Sequence, residues 1–291
     1  MSVHTFRQVN VFSTDPLLGN PLAVVHDAAE LSDARMAAFA NWTNLSETTF
    51  LLPPTDPRAD YRVRIFTTMG ELPFAGHPTL GSCYAWLAQG GVPQGAEIIQ
   101  ECAIGLVRIR QGADGLAFVA PPLLREGPLE ADVRERVRAG LGVAAEDVVD
   151  AQWVVNGPKW LALRLRSRAA VLAIRPDYPA LEGLMVGVFA ACEAVDGVES
   201  QFESRAFIAG EAAPEDPVTG SLNAGIARWL LRDGLAPERY VISQGTVLGC
   251  GGRGQVQRVG EGVWIVFLRQ EGVTARSPLE VPESPSTGWS R

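Results

Sequence analysis

Three polar side chains stand where proton chemistry could be done: Glu47, His77 and Asp216. His77 sits in Gly76-His77-Pro78-Thr79, and Asp216 in Glu215-Asp216-Pro217-Val218-Thr219-Gly220-Ser221. Each precedes a proline, which pushes its backbone out of the helical region and makes the side chain project from a turn. Both turns feed apolar segments that read as helices, and the unpaired N–H groups and positive dipole end of a helix start favour a carboxylate or phosphate. One such turn alone is ordinary capping, with a proline near the first helical position. Two of them, carrying Gly76 and Thr79 in one and Thr219, Gly220 and Ser221 in the other, suggest an anion-binding floor. Asp216 alone reads as a helix N-cap, and Glu47, in Asn44-Leu45-Ser46-Glu47-Thr48-Thr49-Phe50, as a solvated loop residue. The four cysteines (Cys83, Cys102, Cys192, Cys250) contain no C-x-x-C pair and the three histidines are scattered, so no zinc spacing is present and no metal or cofactor is expected. The cysteines read as reduced, mostly buried small hydrophobes. Gly249-x-Gly251-x-x-Gly254 fits a dinucleotide fingerprint in form only, because Gln255–Val259 alternates like a strand where that motif needs a helix.

The elements that must position these groups are mostly short strands. Phe6–Phe12, Leu22–Val25, Tyr61–Phe66, Ile104–Ile109, Leu116–Val119, Gln152–Val155, Trp160–Leu165, Tyr240–Ser243 and Gly262–Leu268 all have strand character. Helices are expected at Ser32–Trp42, at Ala131–Gly140 with a closing glycine, and after Pro78 and Pro217. Thr79–Gln89 and Thr219–Arg232 are apolar or small around most of their circumference, which suits helices enclosed by other structure. Many strands with few helices predict an α+β fold.

The chain also looks duplicated. Gly19-Asn20-Pro21 resembles Asn156-Gly157-Pro158, Arg64-Ile65-Phe66 resembles Arg205-Ala206-Phe207, and the two proline turns match in turn, at offsets of 137, 141 and 139 residues. Two pseudo-symmetric lobes follow, over 1–124 and 125–276, joined through the proline-rich stretch Ala120–Pro128, with residues 277–291 expected to form a disordered tail. The cleft between such lobes is where a small-molecule site is expected.

The 291 residues carry 25 Lys+Arg against 33 Asp+Glu, a net charge of −8, with no basic run, which argues against nucleic acid as a partner. No stretch approaches the roughly 18 apolar residues of a membrane span, so no membrane association is expected. The N-terminus has neither a basic n-region nor an apolar h-region, and a cytoplasmic location is expected.

The segments VNVFSTDPLLGNPLAVV, NLSETTFLLP, RIFTTMGELPFAGHPTLGSCYAWL and SRAFIAG…PEDPVTGSLNAGIARWLL resemble the PhzF family of phenazine-biosynthesis isomerases, in the family's order from Val9 to about Gly245. The resemblance implies the diaminopimelate-epimerase fold: two equivalent lobes, each a mostly antiparallel sheet curled about a central apolar helix. It implies that Glu47 of S-E-T-x-F is the catalytic acid/base, with His77 and Asp216 as polar site residues. Ser46, Gly76, Gly220 and Ser221 match positions that hold the substrate's carboxylate and nearby polar groups. A homodimer is also implied. The two facing thiols of the wider epimerase fold would stand at Ala75 and Asp216 here, so a two-thiol racemase is not expected. Asn223 replaces a histidine found in many relatives, and Leu248–Gly254 departs from the family's text. The expected activity is a cofactor-independent isomerisation of a small carboxylated metabolite, in which Glu47 moves a proton between carbons on one face. Capture of a small carboxylate without turnover, a hydrolase or lyase reaction on the same scaffold, and a racemase using Asp216 as second base remain alternatives.

Overall fold

The computed structural model describes residues 3–13, 18–112, 115–210, 214–268 and 275–280. The first half runs β1 (Val3–Val11), β2 (Asn20–Val25), α1 (Asp33–Thr43), β3 (Thr48–Leu52), β4 (Tyr61–Phe66), β5 (Glu71–Leu72), α2 (Gly76–Ala88), β6 (Ile98–Cys102), β7 (Gly105–Gly112) and β8 (Gly115–Val119). After β9 (Arg125–Pro128) and α3 (Ala131–Leu141) come β10 (Val148–Val155), β11 (Trp160–Leu165), α4 (Arg168–Ala173), β12 (Met185–Ala191), β13 (Phe202–Ile208), β14 (Glu215–Asp216), α5 (Gly220–Arg232), β15 (Arg239–Gln244), β16 (Gly252–Val259), β17 (Gly262–Leu268) and β18 (Ala275–Glu280).

The strand pairings repeat element for element. β1 to β8 pair in the order antiparallel, parallel, antiparallel, parallel, antiparallel, antiparallel, with β5 attached to β4, and β10 to β17 do the same with β14 attached to β13. The two series meet at the antiparallel β8–β17 pair, about which the order of strands is mirrored. The strand following each series then pairs with the first strand of the other: β9 with β10, and β18 with β1. This is a mixed α+β sheet, as the strand-rich sequence predicts.

The same pairing corrects the alignment of the two halves. β5 and β14 lead into 13-residue helices that start at Gly76 and Gly220, so Gly220 is the counterpart of Gly76. Pro78 lies inside the first turn of α2, whereas Pro217 lies before the N-cap of α5 and is matched by Pro73, each three residues before the helix-start glycine. The tail expected from 277 also starts differently: residues 275–280 form β18 because β1 presents a free edge to pair with, and residues 281–291 lie outside the described residues. α3 closes on Gly142 in the left-handed conformation, where a Cβ would be strained. Gly140, the expected cap, is instead packed against Leu181.

α2 and α5 are buried along most of their length, which their small residues permit. A Cβ on Gly81 would lie 2.5 Å from Leu22, and one on Gly225 would lie 2.7 Å from the Val154 carbonyl oxygen. The principal core runs through both halves, from Val9, Leu22 and Leu80 to Trp160, Leu222 and Trp229. Cys83 and Cys102 are buried and all four cysteines are free thiols. The Gly249–Gly254 run passes from a turn into β16, which begins at Gly252, so a strand rather than a helix follows the turn. No helix among the described residues is long and apolar enough to cross a membrane.

Candidate active site

The starts of α2 and α5 abut. A Cβ on Gly76 would sit 2.6 Å from Gly220 Cα, and one on Gly220 would sit 2.7 Å from Gly76 Cα, so only glycine lets the two backbones approach this closely. Neither N-cap, Ala75 nor Thr219, offers a side-chain hydrogen bond to its helix. Two helix starts with uncapped first-turn amides therefore converge, and their positive ends add. Ala75 and Thr219 both line a cleft whose other walls include Ser46, Glu47, Thr67, Leu72, Trp160, Met185, Ile208, Asp216 and Ser221.

Glu47 lies between α1 and β3, immediately before Thr48, and is 9% exposed rather than solvated. Its Oε2 is 3.3 Å from His77 Nδ1. Burial drives His77 from 6.5 down to about 3, against an opposing pull from the Pro21 carbonyl, so the imidazole is neutral at physiological pH and its contact with Glu47 is not an ion pair. His77 is 1% exposed and stands behind Glu47 rather than on the cleft wall. Asp216, on β14, is 4% exposed and does face the cleft. Its Oδ1 accepts from Asn20 Nδ2 (2.7 Å) and its Oδ2 from the Thr219 hydroxyl (2.7 Å), which fixes the carboxylate plane. Asp216 is thus not the helix N-cap; Thr219 occupies that position.

Of the residues singled out from sequence, Ser46, Glu47, Asp216, Thr219 and Ser221 line the cleft, while Gly76 and Gly220 form the contact between the helix starts. Thr79 is not brought to the cleft. It is fully buried, donating to the Ala75 carbonyl (2.9 Å) and accepting from Gln100 Nε2 (3.0 Å), which ties the first turn of α2 to β6. The counterpart of Ala75 is Thr219, not Asp216, so neither helix start carries a thiol. Burial, partly opposed by a hydrogen bond with Tyr61, pushes the Cys83 thiol up to about 12.

Asn20 and Gln244 were not legible as site residues. Asn20 Nδ2 reaches across from the first half to Asp216 and to the Val218 carbonyl (3.0 Å), and lies 3.4 Å from His77 Nδ1. Gln244 accepts from the Thr219 N–H (3.0 Å) and from Asn223 Nδ2 (2.8 Å), and donates to the Asp216 carbonyl (2.9 Å) and the Thr219 hydroxyl (2.8 Å). Asn223 is therefore part of the buried support behind Thr219 and does not line the cleft wall. The Gly-Asn-Pro spacing was the one signal that could have found Asn20. Among the described residues no cluster of three or more His, Cys, Asp or Glu side chains is placed to hold a metal ion.

The chain is similar in sequence and fold to known proteins. The family model for phenazine biosynthesis-like proteins, PhzC-PhzF, matches residues 9–271. The trans-2,3-dihydro-3-hydroxyanthranilate isomerase of Pseudomonas aeruginosa is 32% identical, covering 93% of this chain and 96% of its own. A Schizosaccharomyces pombe protein named antisense-enhancing sequence 1 is 38% identical over 85% of this chain and 88% of its own. A solved predicted epimerase from P. aeruginosa superposes with a TM-score of 0.76 at 29% identity, covering 96% of this chain and all of that one. A hydroxyproline epimerase from Agrobacterium vitis, with a TM-score of 0.54 at 15% identity over 96% of this chain and 93% of its own, shares the fold. The chain is a member of the PhzC-PhzF family of phenazine biosynthesis-like proteins and, like the P. aeruginosa relative named for that activity, an isomerase.

Proposed function

We propose that the protein is a cofactor-independent isomerase that shifts a proton between carbons of a small carboxylated metabolite, with Glu47 as the acid/base. The observation that carries this reading is the placement of Glu47 at the cleft, nearly buried, against a neutral imidazole and beside two converging, uncapped helix starts. The first-turn amides hold the substrate carboxylate and stabilise the charge that spreads into it when a proton leaves the adjacent carbon. Glu47 takes that proton and returns one to another carbon on the same face, which moves the double bond. Closure around the substrate strips water from Glu47, which raises its basicity towards the working range. His77 orients Glu47 and does not become imidazolium. Asp216, held on both oxygens, receives an amino or hydroxyl group of the substrate. The compound named for the P. aeruginosa relative has a carboxylate, an amino group and a hydroxyl group, and is the first to test.

Steady-state kinetics on that compound test the reading. Glu47→Gln should lose about 10²–10⁴-fold in kcat while ligand affinity stays within a few-fold, because an amide keeps the shape and loses the base. A variant as fast as the parent removes Glu47 from the mechanism. Cleavage into two products would replace isomerisation with a lyase or hydrolase reaction.

A further inference from the structure

We propose that Trp160 is a positioning residue for recognition of the substrate carboxylate: its indole N–H sets the Ser221 hydroxyl so that the hydroxyl's single proton is directed into the cleft. This rests on the reading of the cleft as a carboxylate site. Trp160 Nε1 lies 2.9 Å from Ser221 Oγ. An indole N–H only donates, so the direction of this bond is fixed without assigning any hydrogen by choice. Ser221 Oγ is the acceptor and keeps its own proton to give. The other hydroxyls at the two helix starts have spent theirs: Thr219 on Asp216 (2.7 Å) and Thr79 on the Ala75 carbonyl (2.9 Å). The Thr219 N–H is likewise taken by Gln244.

Ser221 is therefore the one hydroxyl at the helix starts that can donate to an anion, and it is held from two sides. Asn156 Nδ2 donates to its carbonyl (2.8 Å) while Trp160 occupies one lone pair of its hydroxyl. Asn156 and Trp160 flank the β10–β11 turn, so the hairpin acts as a clamp on the first turn of α5. Both Trp160 and Ser221 line the cleft, so the indole also forms the apolar wall beside the carboxylate. Without the indole donor the hydroxyl is free to rotate, and its lone pairs can face the anion.

A double-mutant cycle tests this, using Trp160→Phe, Ser221→Ala and the pair. KM and kcat are measured on trans-2,3-dihydro-3-hydroxyanthranilate, and Kd for the unreactive aromatic carboxylate anthranilate is measured by calorimetry. Trp160→Phe should raise KM and Kd by about 5–10-fold, the scale of one hydrogen bond, with kcat within about 3-fold. In the Ser221→Ala background the same change should cost nothing further. Additive losses, or a Trp160→Phe protein with parental KM and Kd, overturn the proposal. If Trp160→Phe melts early, benzothienylalanine at position 160, which replaces only the N–H by sulfur, gives the same comparison. A parent protein that binds anthranilate without turning over the dihydro compound refutes that compound as the substrate and leaves the cycle to be decided on Kd. A parent that binds neither refutes both.

Discussion

Gly220→Ala places one methyl group where two backbones meet. The new Cβ would lie 2.7 Å from Gly76 Cα and 3.0 Å from both Gly76 C and His77 N, all backbone atoms of the opposing helix start. Rotamer changes cannot relieve such a contact, so α2 and α5 must separate, by about 0.7–1 Å to restore ordinary van der Waals distances. Overpacking of this kind costs about 1–3 kcal/mol, offset by under about 1 kcal/mol from the better helix propensity of alanine. At roughly 2–4 °C per kcal/mol, the variant should melt a few degrees below the parent. The functional loss should be larger, because the separation moves two sets of amides off one carboxylate, and a misplacement of about 1 Å can cost about 10²-fold. Differential scanning fluorimetry and kcat/KM on the dihydro-hydroxyanthranilate read the two effects. Gly95→Ala is the control, since a Cβ there meets nothing within 4 Å. A Gly220→Ala protein with parental melting and kcat/KM would refute the claim that the paired helix starts form the carboxylate site.

His77 and His26 are both pushed down by burial, to about 3 and about 4, with Arg7 also acting on His26. The unfolded chain binds protons at these sites below about pH 6.5 and the folded one does not, so stability should fall as pH drops from about 6.5 towards 4. Melting curves of His77→Asn and His26→Asn should each show a flatter acid limb, whereas parallel limbs would contradict the burial argument. The pH–rate profile should show no ionisation near 6.5 that His77→Asn removes. Cys83→Ala should keep kcat within about 2-fold and Cys83 should resist alkylation at neutral pH, since its thiol is buried and stays protonated; inactivation by iodoacetamide tied to Cys83 would reopen thiol chemistry.

The parts of the fold that depend on local pattern could be read from the chain. The helix expected over Ser32–Trp42 is α1, capped by Ser32 through a bond from the Arg35 N–H, and the alternating runs became strands. Duplication was visible in the motifs, but its register was not, because the prolines at 78 and 217 look equivalent and are not; the glycines at 76 and 220 are fixed by a backbone contact that no spacing encodes. Glu47 illustrates the same limit. Its neighbours in sequence make it a loop residue, but in the fold it is buried, with its carboxylate against His77 of α2, 30 positions later in the chain. Asn20 and Gln244 act across long sequence distances on Asp216, and a side-chain amide carries no local signature of such a role. Thr79 erred the other way: its place in a site motif hid that its hydroxyl is consumed by its own helix.

The central claim, that Glu47 moves a proton between carbons of a carboxylate held at the helix starts, is tested most directly by proton NMR in deuterium oxide. The purified protein and its Glu47→Gln variant are each incubated with trans-2,3-dihydro-3-hydroxyanthranilate. Wild type should shift the double-bond signals and place deuterium at the newly formed C–H, and the variant should do neither while still binding. Equal conversion in both samples would contradict the account.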